Sequence, residues 1–108
     1  MGAHALRQKD LRRNKGGGFL YVMTNPAWPY YSKVGRTTDL LSRYRSYQTA
    51  SPYRDFLLYY YRYFQNIWAA ERHFFQTFKQ CERRGEWLAL HPDDACLLID
   101  RVKEEHLA

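Results

Sequence analysis

The chain lacks most of the features that would take it away from an ordinary folded domain. Its 108 residues hold no apolar run near the roughly 20 residues that a membrane helix needs, so no membrane partner is expected. The opening residues, Met1 to Leu6, contain no apolar core of a signal peptide. Cysteine is scarce: Cys81 and Cys96 stand alone, without CxxC spacing. Such a pair reads as reduced thiols rather than a disulfide or a zinc site, and the expected location is intracellular, in cytoplasm or nucleus, without secretion. No GxGxxG opens a βαβ unit and there is no Walker loop, which argues against dinucleotide and P-loop folds. Internal repeats and low-complexity stretches are also missing.

What is present is aromatic and basic. Aromatic residues make up 18% of the chain, as ten Tyr, six Phe and three Trp, a content that disordered segments do not carry. The length supports one hydrophobic core and not two. The net charge of +6 is unevenly spread: fifteen basic and five acidic side chains lie in residues 1–84, and two basic and six acidic in residues 85–108. A basic, Tyr-rich body with an acidic end fits a polyanion partner on one side. Charge alone fits a basic soluble domain equally well.

Local signals divide the chain. Residues 1–17 read as a basic N-terminal arm ending in Gly16-Gly17, and residues 18–108 as a single domain with a C-terminal helix. Residues 19–23 form a β-prone run, a loop with two prolines follows, and residues 30–35 read as a second strand, so the pair makes a hairpin. Thr37-Thr38-Asp39 supplies a cap for a helix to about Gln48, with Leu40, Tyr44 and Tyr47 on one face. Residues 55–64 read as strand three. Asn66 caps a helix over residues 67–80, and Glu86-Trp87-Leu88 is a short extended piece. Pro92, with Asp93 and Asp94, opens the last helix. The order ββαβαα predicts an α+β fold: a small three-stranded antiparallel sheet with flanking helices.

Two groups of residues do not fit a bland core. Glu71 lies about 40° from Ile67 on the apolar stripe of its helix, which also carries Phe74 and Phe78. A carboxylate there must be paired or hold a cation. It is either a salt bridge to an arginine or a metal ligand or catalytic acid. In the hairpin, a turn symmetric about Ala27 sets Tyr21 opposite Lys33, with Cβ atoms roughly 5 Å apart. An adjacent ammonium lowers a phenol pKa, which suits a tyrosine general base; an ordinary cross-strand pair looks the same. Arg36 and Arg43 follow closely, and guanidinium groups clamp phosphate oxygens.

In order and spacing these residues resemble the GIY-YIG nuclease superfamily. The match is to a small branch found in phages and large DNA viruses, whose second motif reads Lys-Ile/Val-Gly-Arg-Thr. Phe19-Leu20-Tyr21 stands for the first motif and Lys33-Val34-Gly35-Arg36-Thr37 for the second. Arg43 sits where the family's helical arginine is expected. Glu71 heads Glu-Arg-His-Phe-Phe-Gln-Thr-Phe, similar to the helix with the family's metal-binding glutamate. Gly85-Glu86-Trp87-Leu88 is similar to the branch's closing Glu-Trp-Phe. Three positions depart from the pattern. Phe19 replaces the first glycine, Lys33 replaces the second tyrosine, and Phe75 stands where many branch members have histidine.

The resemblance implies a GIY-YIG-like endonuclease that hydrolyses DNA phosphodiester bonds with one divalent metal, Mg²⁺ or Mn²⁺. It implies Glu71 as the metal ligand and Tyr21, Lys33, Arg43 and Glu71 as the catalytic set. Arg12, Arg13, Lys15, Arg36 and Arg45 are candidate contacts to the nucleic-acid backbone. Two other readings remain: a DNA-binding module of the same fold that cleaves weakly or not at all, and a protein-interaction domain using Tyr59-Tyr60-Tyr61. The expected partner is DNA, bound by a monomer or dimer, with a further protein as one possible source of specificity.

Overall fold

The computed structural model describes residues 16–77, 83–84 and 87–107. Strands β1 (Gly18–Thr24) and β2 (Ser32–Thr37) form the hairpin. Helix α1 (Leu40–Ala50), strand β3 (Leu57–Phe64) and helix α2 (Ile67–Thr77) follow. Two short strands, β4 (Arg83–Arg84) and β5 (Trp87–Leu88), precede helix α3 (Pro92–Asp100) and a closing 3-10 turn at Glu104–His106. All strands join one antiparallel sheet in the order β3-β1-β2-β5-β4.

The α+β class stands, but the sheet has five strands among the described residues, not three. The reason is the outer edge of β2. Its main-chain groups at Ser32 and Lys33 need partners, and β5 pairs with them. Pairing also carries Leu88 into the core, where it is fully buried. Two-residue strands carry no periodicity: Glu86-Trp87-Leu88 reads as extended, but its pairing with β2 is not marked.

Alternation along β1 sends Leu20 and Val22 to one face. There they meet Val34, Phe64 and Leu88 from the sheet, Ile67, Ala70 and Phe74 from α2, and Ala95 and Ile99 from α3. Burying each large apolar side chain contributes about 1.5–3 kcal/mol. Helix α1 lies on the other face, where Tyr47 meets Tyr21, and has no buried residue of its own. The expected stripe of Leu40, Tyr44 and Tyr47 is there, half-buried against the sheet. Gln48 fastens α1 to the entry of β3: its Nε2 donates to the Phe56 carbonyl at 3.0 Å and its Oε1 accepts from the Phe56 N–H at 2.9 Å.

The helix starts follow their local signals. Asp39 Oδ1 accepts from the Ser42 N–H at 3.0 Å, and Asn66 Oδ1 from the Ala69 N–H at 3.1 Å. Pro92 opens α3, and His91 Nδ1 accepts from the Asp93 N–H at 3.1 Å. Such caps are worth about 1 kcal/mol each. At its far end α3 is held by Arg62, whose Nη1 donates to the carbonyls of Ile99 at 2.9 Å and Val102 at 2.8 Å. The Tyr59 and Tyr60 hydroxyls donate to Asp93 and Asp100. Two of the three consecutive tyrosines therefore bind this chain's own acidic helix.

The hairpin register differs from the symmetric one. Tyr21 lies opposite Gly35, and Met23 opposite Lys33. The connection is two successive turns rather than one: the Trp28 N–H bonds the Asn25 carbonyl at 2.9 Å, and the Tyr31 N–H bonds the Trp28 carbonyl at 3.1 Å. The second turn takes Tyr30 and Tyr31 out of the expected strand, so β2 starts at Ser32. A shift of two residues keeps every side chain on its face. Tyr21 and Lys33 thus remain on one face as diagonal neighbours.

Candidate active site

Tyr21 is almost fully buried, at 2% exposure, on the α1 face of the central strand. Its ring lies across Gly35, where an added Cβ would stand 2.6 Å from Oη and 2.8 Å from Cζ. Glycine at that position is what gives the phenol its place. Tyr21 and Tyr47 share a 3.4 Å hydrogen bond between hydroxyls, with ring centroids 6.4 Å apart. Lys33 Nζ lies 5.5 Å from the centre of the Tyr47 ring, a cation–π distance. Arg43, exposed on α1, is near enough to act on the Tyr21 phenol electrostatically.

The charge balance at Tyr21 is the reverse of the one expected. Burial pushes the phenol well above its ordinary value, and the bond to Tyr47 and that second phenol add to the rise. Arg43 and Lys33 act in the opposite direction without overcoming it. In the uncomplexed domain Tyr21 is therefore a protonated hydrogen-bonding group.

Glu71 is placed on the other face of the sheet, on α2. Its Oε1 accepts from Arg36 Nη1 at 2.9 Å, with the two side chains 23% and 33% exposed. The Arg36 guanidinium also stacks on Trp68, 3.5 Å from the ring centre. Glu71 forms the arginine ion pair that was one of its two readings. Arg36 pairs across the hairpin with Leu20, which puts it on the core face at the rim of α2. Arg36 is thus held by Glu71 and Trp68 rather than extended into solvent.

The candidate residues form two groups that share strand β2. Tyr21, Lys33 and Arg43 gather on the α1 side, and Arg36 and Glu71 on the α2 side. Gly35 and Arg36, adjacent in sequence, join them. Among the described residues, β2 is paired on its outer edge only at Ser32 and Lys33. Gly35 and Arg36 lie on the part of β2 beyond that pairing. Arg45 is exposed on α1. Arg12, Arg13 and Lys15 lie outside the described residues, as do Phe78 to Glu82, Gly85 and Glu86. Phe75 packs against the core, with its ring 5.2 Å from that of Phe74.

A match over residues 18–103 is found to the T5orf172 domain model. The chain belongs to the T5orf172 domain family. This is a phage-derived family related to GIY-YIG and homing-endonuclease-like nucleases. No curated protein and no solved structure matches the chain significantly. No described helix of this T5orf172 domain is long and apolar enough to cross a membrane.

Two site residues were not singled out from the sequence. Tyr47 was assigned to the apolar stripe of α1, yet it contacts both Tyr21 and Lys33. Its position four residues after Arg43, on one helix face, was the available signal. Trp68, three residues before Glu71 and so on the same side of α2, was the corresponding signal for the stacked Arg36.

Proposed function

We propose that this T5orf172 domain is a metal-dependent endonuclease acting on DNA phosphodiester bonds. The observation that carries this reading is the gathering of Arg43, from α1, with Tyr21 and Lys33 of the hairpin whose Arg36 holds Glu71. Lys33 and Arg43 would neutralise charge developing on the phosphoryl oxygens. Tyr21 would take the proton of the attacking water, in an in-line displacement that leaves a 5′-phosphate and a 3′-hydroxyl. Its raised pKa means that this role depends on the opposing field of Lys33 and Arg43. Arg36 would act as a positioning residue that fixes the Glu71 carboxylate. Arg45 and the arm residues Arg12, Arg13 and Lys15 would hold the strand through its phosphates.

The residues present fit Mg²⁺ or Mn²⁺ in one way. Glu71 offers a single, partly exposed carboxylate, and among the described residues no three His, Cys, Asp or Glu gather as a ligand set. One carboxylate completed by substrate phosphate and water is a mode Mg²⁺ uses, and it does not suit zinc. When bound, such an ion supplies Lewis-acid stabilisation of the leaving oxygen.

The Arg36–Glu71 ion pair favours a second reading, a DNA-binding module that does not cleave. One Glu71 oxygen is already engaged, and the neighbouring guanidinium repels a cation. A supercoiled-plasmid nicking assay with Mg²⁺ or Mn²⁺ separates the two. The nuclease reading expects nicks that Glu71→Gln removes. Salt-sensitive DNA binding without nicks in either ion would establish the non-cleaving module.

A further inference from the structure

The rings on the α1 face do not end at Tyr21 and Tyr47. Tyr47 packs on Phe56 at 5.2 Å, Phe56 on Trp87 at 6.3 Å, and Trp87 on Trp28 at 5.6 Å. Together they form a ledge that runs from the candidate site to the tip of the β1–β2 connection. At its outer end Trp28 is 50% exposed and Tyr53 84% exposed. Trp28, Tyr53 and Phe56 wall an open cleft of about 260 Å³ whose polar lining includes Asn25, Ser51 and Asp55.

The chemistry of this cleft selects its occupant. Asp55 Oδ1 accepts from Ser51 Oγ at 2.8 Å and from Asn25 Nδ2 at 3.0 Å. These bonds hold the carboxyl below its ordinary range, so it is ionised at neutral pH. A carboxylate repels phosphate and accepts N–H groups such as those on base edges. Aromatic faces bind the π-face of any base. The cations flank this ledge: Lys33 lies beside Trp87 in the sheet with its Nζ 5.5 Å from the Tyr47 ring, and Arg43 precedes Tyr47 by one turn of α1, so a phosphate held there would sit alongside the rings.

A base within a continuous duplex cannot present its face to a side chain, because its neighbours cover it. We propose that the Trp28–Tyr53 cleft binds the base of an unpaired nucleotide, in the strand whose phosphate lies at Lys33 and Arg43. The proposal rests on the nucleic-acid reading of that site and adds the substrate class to it. The domain selects strands with unpaired segments, such as single strands, flaps or bulges, over continuous duplex.

The test uses binding without cleavage, in a metal-free buffer containing chelator. The full chain is titrated into a labelled single-stranded oligonucleotide of mixed sequence, and into the same strand annealed to its complement, with anisotropy as the readout. Tighter binding of the single strand is expected, despite the higher charge density of the duplex. Trp28→Ala should weaken single-strand binding by about 5- to 150-fold, the range for one stacked base, and leave duplex binding unchanged. Tyr53→Ala, at a position too exposed to support the fold, should weaken the single strand in the same selective way. Trp28→Phe should restore most of the affinity. Equal or tighter binding of duplex, equal loss on both substrates in the two alanine variants, or no binding of either substrate would overturn the proposal. Nicking in the plasmid assay with no Trp28 or Tyr53 effect here would leave the nuclease reading and remove this one. Selective single-strand binding without nicking would do the opposite.

Discussion

The Tyr21 ring lies across Gly35, so closely that a Cβ at that position would meet the phenolic oxygen at 2.6 Å. The neighbour is a buried ring fixed by the central strand rather than the loose end of a flexible chain. Gly35→Ala should therefore displace Tyr21 from the site and destabilise the domain by about 1–3 kcal/mol. Urea denaturation measures the loss. Unchanged stability would mean that the ring moves aside without cost.

The Arg36–Glu71 pair is partly exposed, which limits its energetic worth. A double-mutant cycle with Arg36→Ala and Glu71→Ala should give a coupling energy of about 0.5–1 kcal/mol, smaller at high salt. Nicking should respond differently. Glu71→Gln is expected to abolish it, and Arg36→Lys to reduce it through loss of the planar stack on Trp68.

Tyr21 has its pKa pushed upward, so only a small phenolate fraction exists near neutral pH. If the phenolate is the base, the nicking rate should rise about tenfold per pH unit between pH 7 and 9. Tyr21→Phe should lose both the rate and the slope. A flat profile in this range would assign Tyr21 to hydrogen bonding in its neutral form.

Asp55 titrates in the other direction. Its folded-state pKa is lowered by Ser51 and Asn25. Its contribution to stability is complete above the unfolded value of about 4 and falls away as acid takes the pH below that. Thermal unfolding of Asp55→Asn should show a smaller loss of Tm between pH 5 and 3 than the unaltered chain.

The parts of the fold legible in the sequence are those carried by local chemistry. Asp39, Asn66 and Pro92 mark helix starts because capping and φ restriction act within a few residues. The core position of Phe74 follows from helical periodicity, whereas the unbroken apolar run of residues 19–23 marks a strand without saying which face is buried. The hairpin was legible as a hairpin, but its register was not: two linked turns around Trp28 displace the centre of symmetry without any change in residue type. Strands β4 and β5 exist through what they pair with, and pairing partners are not written locally. The odd placement of Glu71 was visible, and so was its need for a partner. Its choice of Arg36 depends on where β2 lies beside α2, which only the assembled sheet determines.

Strand β1 is flanked by β3 and β2 and is covered from above and below, and all but one of its residues are buried. Its amide hydrogens should therefore exchange with solvent only through opening of the whole domain. Tyr21 is part of that slowest segment. The candidate site and the most protected core thus share one strand, and loosening the site would require unfolding the molecule. A ligand that engages Tyr21 would slow exchange throughout the sheet, by an amount set by its concentration and affinity.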